Sequence, residues 1–498
     1  VRTVVPTELA LDGVRERVEL LTPGIAVDDI ALSPDGRTLA ITSAGSGQPN
    51  LYVWSLDELA REPATPRQLT TTAGAKGAVQ WSPDGRELWF TDAGRLSVVT
   101  VESRAVRAVA VTAELEVDFH REKLAVFRQA WRWQRDNFYD PAMHGADWPA
   151  VRTRWTPQVA GAQTPDELRR LLQLMVGELD ASHLGVSGPA PVPALPVGRL
   201  GLDLDREALE RDGTVRVGAL IAHGPAALAG GIAVGDRIVA VNGTPLDRDV
   251  HLDSLLAGTV GRRVELQVVT GRTAPRTVAV RPVALGAEKE LRYRQWVEER
   301  RAYVARVSNG RLGYVHMFNM SAEALAQLYL DLDAENFGRE GVVVDIRNNG
   351  GGFVNGYALD VFARKGYLTL TRRGGVPAPA RSSLGQRALE RPTVLVTNQH
   401  SLSDAEDFTE GYRALGLGRV VGEPTSGWII YTSNVPLLDG QSVMRIPFTR
   451  VEGADGKNME RVPRPVDVAV ERPVGEAYGT TDVQLDAAVR VLLDALRR

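Results

Sequence analysis

The sequence predicts a multidomain chain, with β-propeller blades first, then a helical segment, a small β-rich module and an α/β core. Three observations carry this. A Ser-Pro-Asp-Gly-Arg turn occurs at Ser33–Arg37 and again at Ser82–Arg86, each followed by strand-like residues. The apolar period turns helical from about Asp118. Beyond about 290, short apolar strands alternate with helical stretches. At 498 residues the chain is too long for one core and suits several domains.

In each copy of the repeat the Pro-Asp-Gly turn leads into alternating residues and then a second strand, Asn50–Trp54 or Arg95–Val99. This is the chemistry of propeller blades of about 40–50 residues. A propeller closes with roughly 4–8 blades, so residues 1–112 are expected to be the C-terminal part of a larger propeller in a longer protein. Residues 113–195 follow as a helical part of the core. Lys123–Tyr139 is predicted helical, with Phe127, Trp131, Trp133 and Phe138 toward the core. Thr164 and Pro165 form a helix start, ahead of Leu168, Leu171, Leu172, Leu174 and Met175. Val186–Val197, rich in Pro and Gly, reads as a linker.

Residues 196–283 form the β-rich module. Arg199–Leu204, the loop and short helix Gly224–Ala229, and the hairpin Gly235-Asp236-Arg237-Ile238-Val239-Ala240-Val241-Asn242-Gly243 resemble a PDZ domain in order and spacing. The resemblance implies an extended peptide added as a strand, its C-terminal carboxylate held by amides near Leu200, Gly201 and Leu202. In residues 284–498, Arg311–Met317, Gly341–Ile346 and Pro392–Asn398 read as buried strands, with helices over Ala322–Phe337 and Asp404–Leu415.

Composition narrows the function. A net charge of −4 offers no basic field for nucleic acid. The absence of cysteine excludes disulfides, thiolate metal sites and cysteine nucleophiles. No apolar run approaches the roughly 20 residues of a membrane span, and the start Val1-Arg2-Thr3 carries no signal-peptide pattern. No metal, cofactor, nucleic-acid or membrane partner is expected.

Three segments could do chemistry. In Thr397–Phe408 a strand ends in small polar residues and a helix begins, so Ser401 or Ser403 either caps that helix or presents a hydroxyl beside its free amides. In Asp345-Ile346-Arg347-Asn348-Asn349-Gly350-Gly351-Gly352 the glycines allow close backbone approach to a reacting group, and no Gly-Lys-Ser/Thr ending supports a nucleotide loop. In Gly177–Gly185, Ser182-His183 lies between a helix and the linker, well placed to meet another domain.

Together, in this order and with the PDZ-like module between them, these segments resemble the tricorn branch of the tail-specific peptidases, the S41 peptidases. The resemblance implies a ClpP/crotonase-like α/β core and a serine peptidase acting on oligopeptides or unfolded chains. It implies Ser403 as nucleophile, His183 as general base, Ser182 as the hydroxyl that orients it, and Glu460 as the distal carboxylate. The amides of Gly352 and Asp404 match the oxyanion hole, and Gly351 lies among the substrate-binding positions. A homo-oligomeric full-length protein in the cytoplasm is also implied.

The lysines bear on the mechanism. The carboxy-terminal processing peptidases use a lysine some way after the serine. Here that stretch, Val421–Ile429, carries Trp428 instead, and no lysine occurs between Ser403 and Lys457. A histidine base is therefore favoured, with His400 a lesser rival to His183. In the family an acidic residue shapes a pocket for basic side chains. Leu368 stands in its place here, which implies a preference for apolar or small residues before the cut. The alternatives are a periplasmic or secreted processing peptidase and an inactive PDZ/propeller protein that only binds peptides.

Overall fold

The computed structural model describes residues 10–497 apart from 45–48, 58–63, 73, 113, 115, 191–194, 248–249, 337, 380–388 and 477–478. The chain divides into two compact units, Val1–Val117 and Asp118–Arg498.

The first unit holds two antiparallel four-stranded meanders. One runs through Asp29–Leu32, Thr38–Ser43, Asn50–Ser55 and Arg67–Gln68, the other through Lys76–Trp81, Glu87–Asp92, Arg95–Thr100 and Val106–Ala108. The repeated turn has one mechanism in both. Asp35 accepts from the Ser33 hydroxyl at 2.6 Å and the Arg37 amide at 3.1 Å. Asp84 accepts from Ser82 and Arg86 at the same distances. Each turn's glycine, Gly36 (φ 72°) or Gly85 (φ 70°), takes a left-handed conformation that a side chain resists. Trp81 Nε1 donates to Ala31 O at 2.9 Å, tying one meander to the other, and Ala40, Leu51, Leu88, Phe90 and Val99 share one core.

In the second unit a five-stranded parallel sheet runs in the order Leu312–His316, Gly341–Asp345, Thr393–Thr397, Gly418–Gly422, Val468–Ala469. The centres of its inner strands are apolar because both faces are covered. Alternate residues serve opposite faces. Val342, Val344 and Leu395 pack with Phe408 and Tyr412 of helix Asp404–Ala414. Val343, Val394 and Val396 pack with helices Leu285–Val307 and Val483–Ala495. The β-rich module has its own core of Val217, Ile238, Leu266 and Val280.

The helical segment begins at Phe119, earlier than predicted, because Asp118 caps it by accepting from the amides of His120 and Arg121. Phe127, Trp131 and Phe138 are buried as expected, but Trp133 and Leu174 lie on solvent faces. Thr164 and Glu167 complete a reciprocal capping box. Two expectations need correction. The linker starts later than Val186, since Gly185–Ser187 is a strand paired with Val443–Thr449. The helix from Ala322 ends at Leu330 and continues as a wider turn over Asp331–Glu335; residue 337 lies outside the described residues.

Candidate functional site

The strand Thr393–Thr397 delivers the chain to a loop in which both serines have defined work. Ser401 Oγ donates to Ile346 O (2.9 Å) and accepts from the Asn398 amide (3.2 Å), so it ties this loop to the end of the neighbouring strand. Ser403 occupies the cap position of helix Asp404–Ala414, yet its side chain makes no capping bond. Its backbone is at φ 55°, ψ −124°, a conformation that costs a non-glycine residue about 1–3 kcal/mol. The twist turns the hydroxyl outward, and the Ser403 amide donates to Trp428 O at 3.1 Å. Buried Glu406 fixes that partner loop, accepting from Thr425 Oγ1 and the amides of Gly427 and Trp428 at 2.6–2.7 Å.

His183 arrives from the other end of the chain. Arg445 pairs with Gly185 and Met444 with Val186, and this short antiparallel contact holds the Ser182-His183 turn against the core. His183 Nε2 lies 3.2 Å from Ser403 Oγ, and His183 Nδ1 lies 2.8 Å from Ser182 Oγ. Ser182 Oγ donates to Glu460 at 2.9 Å, and the amides of Ser182 (2.7 Å) and Ile429 (2.9 Å) donate to the same carboxylate. The directions are forced. A carboxylate only accepts, so the Ser182 proton points at Glu460 and its oxygen accepts Nδ1–H, leaving an Nε2 lone pair for the Ser403 hydroxyl. His183 (φ 59°), Asp180 (φ 45°) and Arg461 (φ 64°) are left-handed like Ser403. Asp180 and Arg461 pair at 3.0 Å and, with His183 and Trp428, line a cleft of about 520 Å³.

Burial, with a smaller push from the Arg445 guanidinium, lowers the His183 imidazole from 6.5 to about 4. The base is therefore neutral, able to accept a proton, at every pH above that value. An acid limb of kcat/KM well below 6.5 is expected. Arg445 is exposed and bonds only Thr432 Oγ1 through its side chain among the described residues. Arg445→Gln removes a positive neighbour, makes the imidazolium less costly, and moves that limb upward. Because burial is the larger cause the move is a fraction of a pH unit, readable from the kcat/KM profile.

The glycine loop closes the site. A methyl group on Gly351 (φ +83°) would lie 2.6 Å from Ser403 Cβ and 3.0 Å from the Asp404 nitrogen; on Gly352 it would strike Met320 O at 2.0 Å. Glycine is required at both. The amides of Gly352 and Asp404 donate to no protein acceptor among the described residues, so they are available to a substrate oxygen. The loop is held from below and from the side. Arg347 is clamped between Asp345 (2.7 Å) and Asp482 (3.0 Å) in the interior. Asn348 and Asn398 exchange hydrogen bonds at 3.0 Å, stitching the glycine loop to the serine loop. Asn349 accepts the Gly351 amide at 2.9 Å.

Ser403, His183, Ser182, Glu460, Gly351, Gly352 and Asp404 are thus brought together. His400 is exposed and takes no part in this hydrogen-bond chain, and Lys457, the first lysine after Ser403, pairs with Asp455. Leu368 is 53% exposed and is not among the residues lining the cleft. Leu200 and Gly201 lie in the β-rich module. Leu200 lines a separate groove of about 200 Å³ beside strand Leu202–Leu204, with Arg199, Leu252 and Glu288. Gly201 (φ +73°) packs against Pro225, where a Cβ would come within 2.7 Å. Sequence reasoning did not find Arg445, Asn349 or the Asp345–Arg347–Asp482 clamp as parts of the site. Asp345 and Arg347 sit in the quoted motif, but Asp482 gives no local signal.

Three family models match the chain: Peptidase family S41 over residues 311–470, Tricorn protease C1 domain over 119–177, and PDZ domain over 216–270. The Tricorn protease homolog 1 of Streptomyces coelicolor is 34% identical over 462 residues, covering 88% of this chain and 42% of the homolog. The chain is tricorn-like, with an S41 peptidase domain at its core. The Tricorn protease of Thermoplasma acidophilum is 26% identical over 397 residues, 76% of this chain and 35% of that protein. The fold is also that of the crystal structure of the tricorn protease, with a TM-score of 0.78 and 22% identity over 93% of this chain and 46% of that one. The chain spans less than half the length of these relatives. The S41 match contains the glycine loop, Ser403 and Glu460, and His183 follows the C1 match.

Proposed function

We propose that this chain is a serine peptidase that hydrolyses peptide bonds in oligopeptides or unfolded chains. The observation that carries the reading is the directed hydrogen-bond chain Glu460–Ser182–His183–Ser403, assembled from three remote segments. His183 Nε2 takes the Ser403 proton as Oγ attacks the carbonyl carbon. The amides of Gly352 and Asp404 stabilise the oxyanion. The imidazolium, held by Ser182 and Glu460, returns its proton to the leaving amine, and a water deprotonated by His183 then releases the acyl group. Apart from that water, each group named in these steps is a side chain or backbone amide of this chain.

Reaction with a fluorophosphonate tests it. The reagent should form one adduct, mapped by mass spectrometry to Ser403, and His183→Ala should slow its formation. Peptide binding without labelling or cleavage would instead support the inactive peptide-binding reading. The proposal extends to the division 1–112, 113–195, 196–283 and 284–498, with the two meanders as propeller blades. Their shared turn circuit and common core support this. Capture of peptide ends in the PDZ groove, a homo-oligomeric full-length form and a cytoplasmic location belong to the same proposal. Kinship with carboxyl-terminal processing proteases, such as that of Picosynechococcus at 24% identity over 80% of this chain, supports the processing alternative more weakly, since Trp428 stands near where their lysine is expected.

A further inference from the structure

The placement of the residue before the cut rests on the peptidase reading. A peptide whose carbonyl oxygen meets the amides of Gly352 and Asp404 must place the side chain of that residue (P1) near the same amides, since it hangs one bond from the reacting carbon. His183 takes the other side, facing the leaving nitrogen. Phe353, directly after Gly352, is 79% exposed there. Asp407 lies one helical turn beyond Ser403, its amide directed at Ser403 O at 3.4 Å. Ser403, Asp407 and Glu410 form the partly open stripe of this helix, while Ala405, Phe408 and Tyr412 enter the core. Tyr431 joins the two walls: its hydroxyl donates to Asp407 at 3.2 Å, and its ring stacks on Phe353 at 6.3 Å between centroids.

The other carboxylates of this helix turn are already used. Asp404 accepts from the amides of Val354 and Asn355 and the Asn355 side chain, and Glu406 holds the Trp428 loop. Asp407 accepts from Tyr431 alone through its side chain and has no ion-pair partner among the described residues. We propose that Asp407 is the specificity-determining residue of the P1 subsite, pairing with a Lys or Arg side chain whose methylenes lie along Phe353 and Tyr431. This reverses the preference implied by Leu368.

The pairing is pH-dependent. Burial first, then the nearby charges of Asp404 and Glu406, raise the Asp407 carboxyl to about 7, against the hydrogen bond from Tyr431. These three are the titratable groups that act on it, two from its own helix and one from the facing strand. Below about 7 the carboxyl is protonated and neutral; above, it is charged. Preference for a cation therefore appears as pH rises through 7.

The test compares two peptides identical but for Arg or its uncharged isostere citrulline before the cut. The Arg/citrulline ratio of kcat/KM should climb from near unity at about pH 5.5 to about 10² at about pH 8.5, the size of one charge-assisted hydrogen bond. Asp407→Asn should flatten the ratio at every pH while citrulline cleavage persists, and Asp407→Glu should restore part of it. A ratio unchanged in Asp407→Asn overturns the proposal. So does cleavage of a Leu peptide when neither Arg nor citrulline is accepted, with fluorophosphonate labelling of Ser403 intact; the peptidase reading then stands alone. Absence of both labelling and cleavage removes both.

Discussion

Ser403→Ala, His183→Ala and the double variant should all fall to the same floor, each losing about 10⁶ in kcat with little change in KM. The equality follows from the contact between His183 Nε2 and Ser403 Oγ at 3.2 Å. A base with no hydroxyl to deprotonate does nothing, and a hydroxyl with no base is a poor nucleophile at neutral pH, so the second deletion removes nothing further. Residual turnover would reflect the unaltered glycine loop and binding surface. Both variants should keep wild-type thermal unfolding: alanine retains the Cβ that the Ser403 backbone already accommodates, and His183 is only partly buried. Single-turnover kinetics on a fluorogenic peptide would measure all three. Additive losses, with the double variant far below either single one, would mean that the two residues do not act as a unit.

How much of this was legible in the sequence depends on the range of the signal. The capping box at Thr164, the Pro-Asp-Gly turns and the apolar strand centres are local, and they formed where propensity and burial agree. Motif residues such as Ser403 and His183 could be placed in order, but nothing local brings them together. That meeting depends on three residues, Gly185–Ser187, pairing with Val443–Thr449. Such a short strand, flanked by Pro and Gly, carries no periodicity to read. The Ser403 backbone was hidden for a related reason. Serine before an acidic helix start reads as an N-cap, and only the tertiary fit of Gly351 against its Cβ shows a different backbone there. Asp407 was hidden by its company, because a first-turn acid is the ordinary complement of a helix dipole. It stands out only once its neighbours are seen to be fully engaged while it accepts from Tyr431 alone. The helix from Ala322 kept its apolar pattern to Leu332 and still lost regular geometry after Leu330.

Glu460→Gln should lower kcat by about 10⁴, the loss seen when a relay's acid is replaced by its amide. The carboxylate receives three donors, the Ser182 amide, the Ser182 hydroxyl and the Ile429 amide. A glutamine offers one accepting oxygen and an NH₂ group, so at least one of these donors must face another donor. If the oxygen keeps the Ser182 amide, the NH₂ takes the place of the oxygen that accepts from both the Ile429 amide and Ser182 Oγ, and it drives the hydroxyl proton toward His183 Nδ1. The imidazole then carries its hydrogen on Nε2, pointing at Ser403, and cannot accept the hydroxyl proton. Removal of the negative charge also leaves the imidazolium less stabilised, at a site where burial already penalises it. Ser182→Ala should cost less, because Nδ1 loses a partner without acquiring an opposed proton. Burial raises the Glu460 carboxyl above its ordinary value, against the hydrogen bonds from Ser182 and Ile429. Activity should therefore also fail on the acid side through protonation of Glu460, and that part of the pH dependence should vanish in Glu460→Gln. A variant that keeps near-wild-type kcat would show that Ser182 orients the histidine without the carboxylate, and would remove Glu460 from the relay.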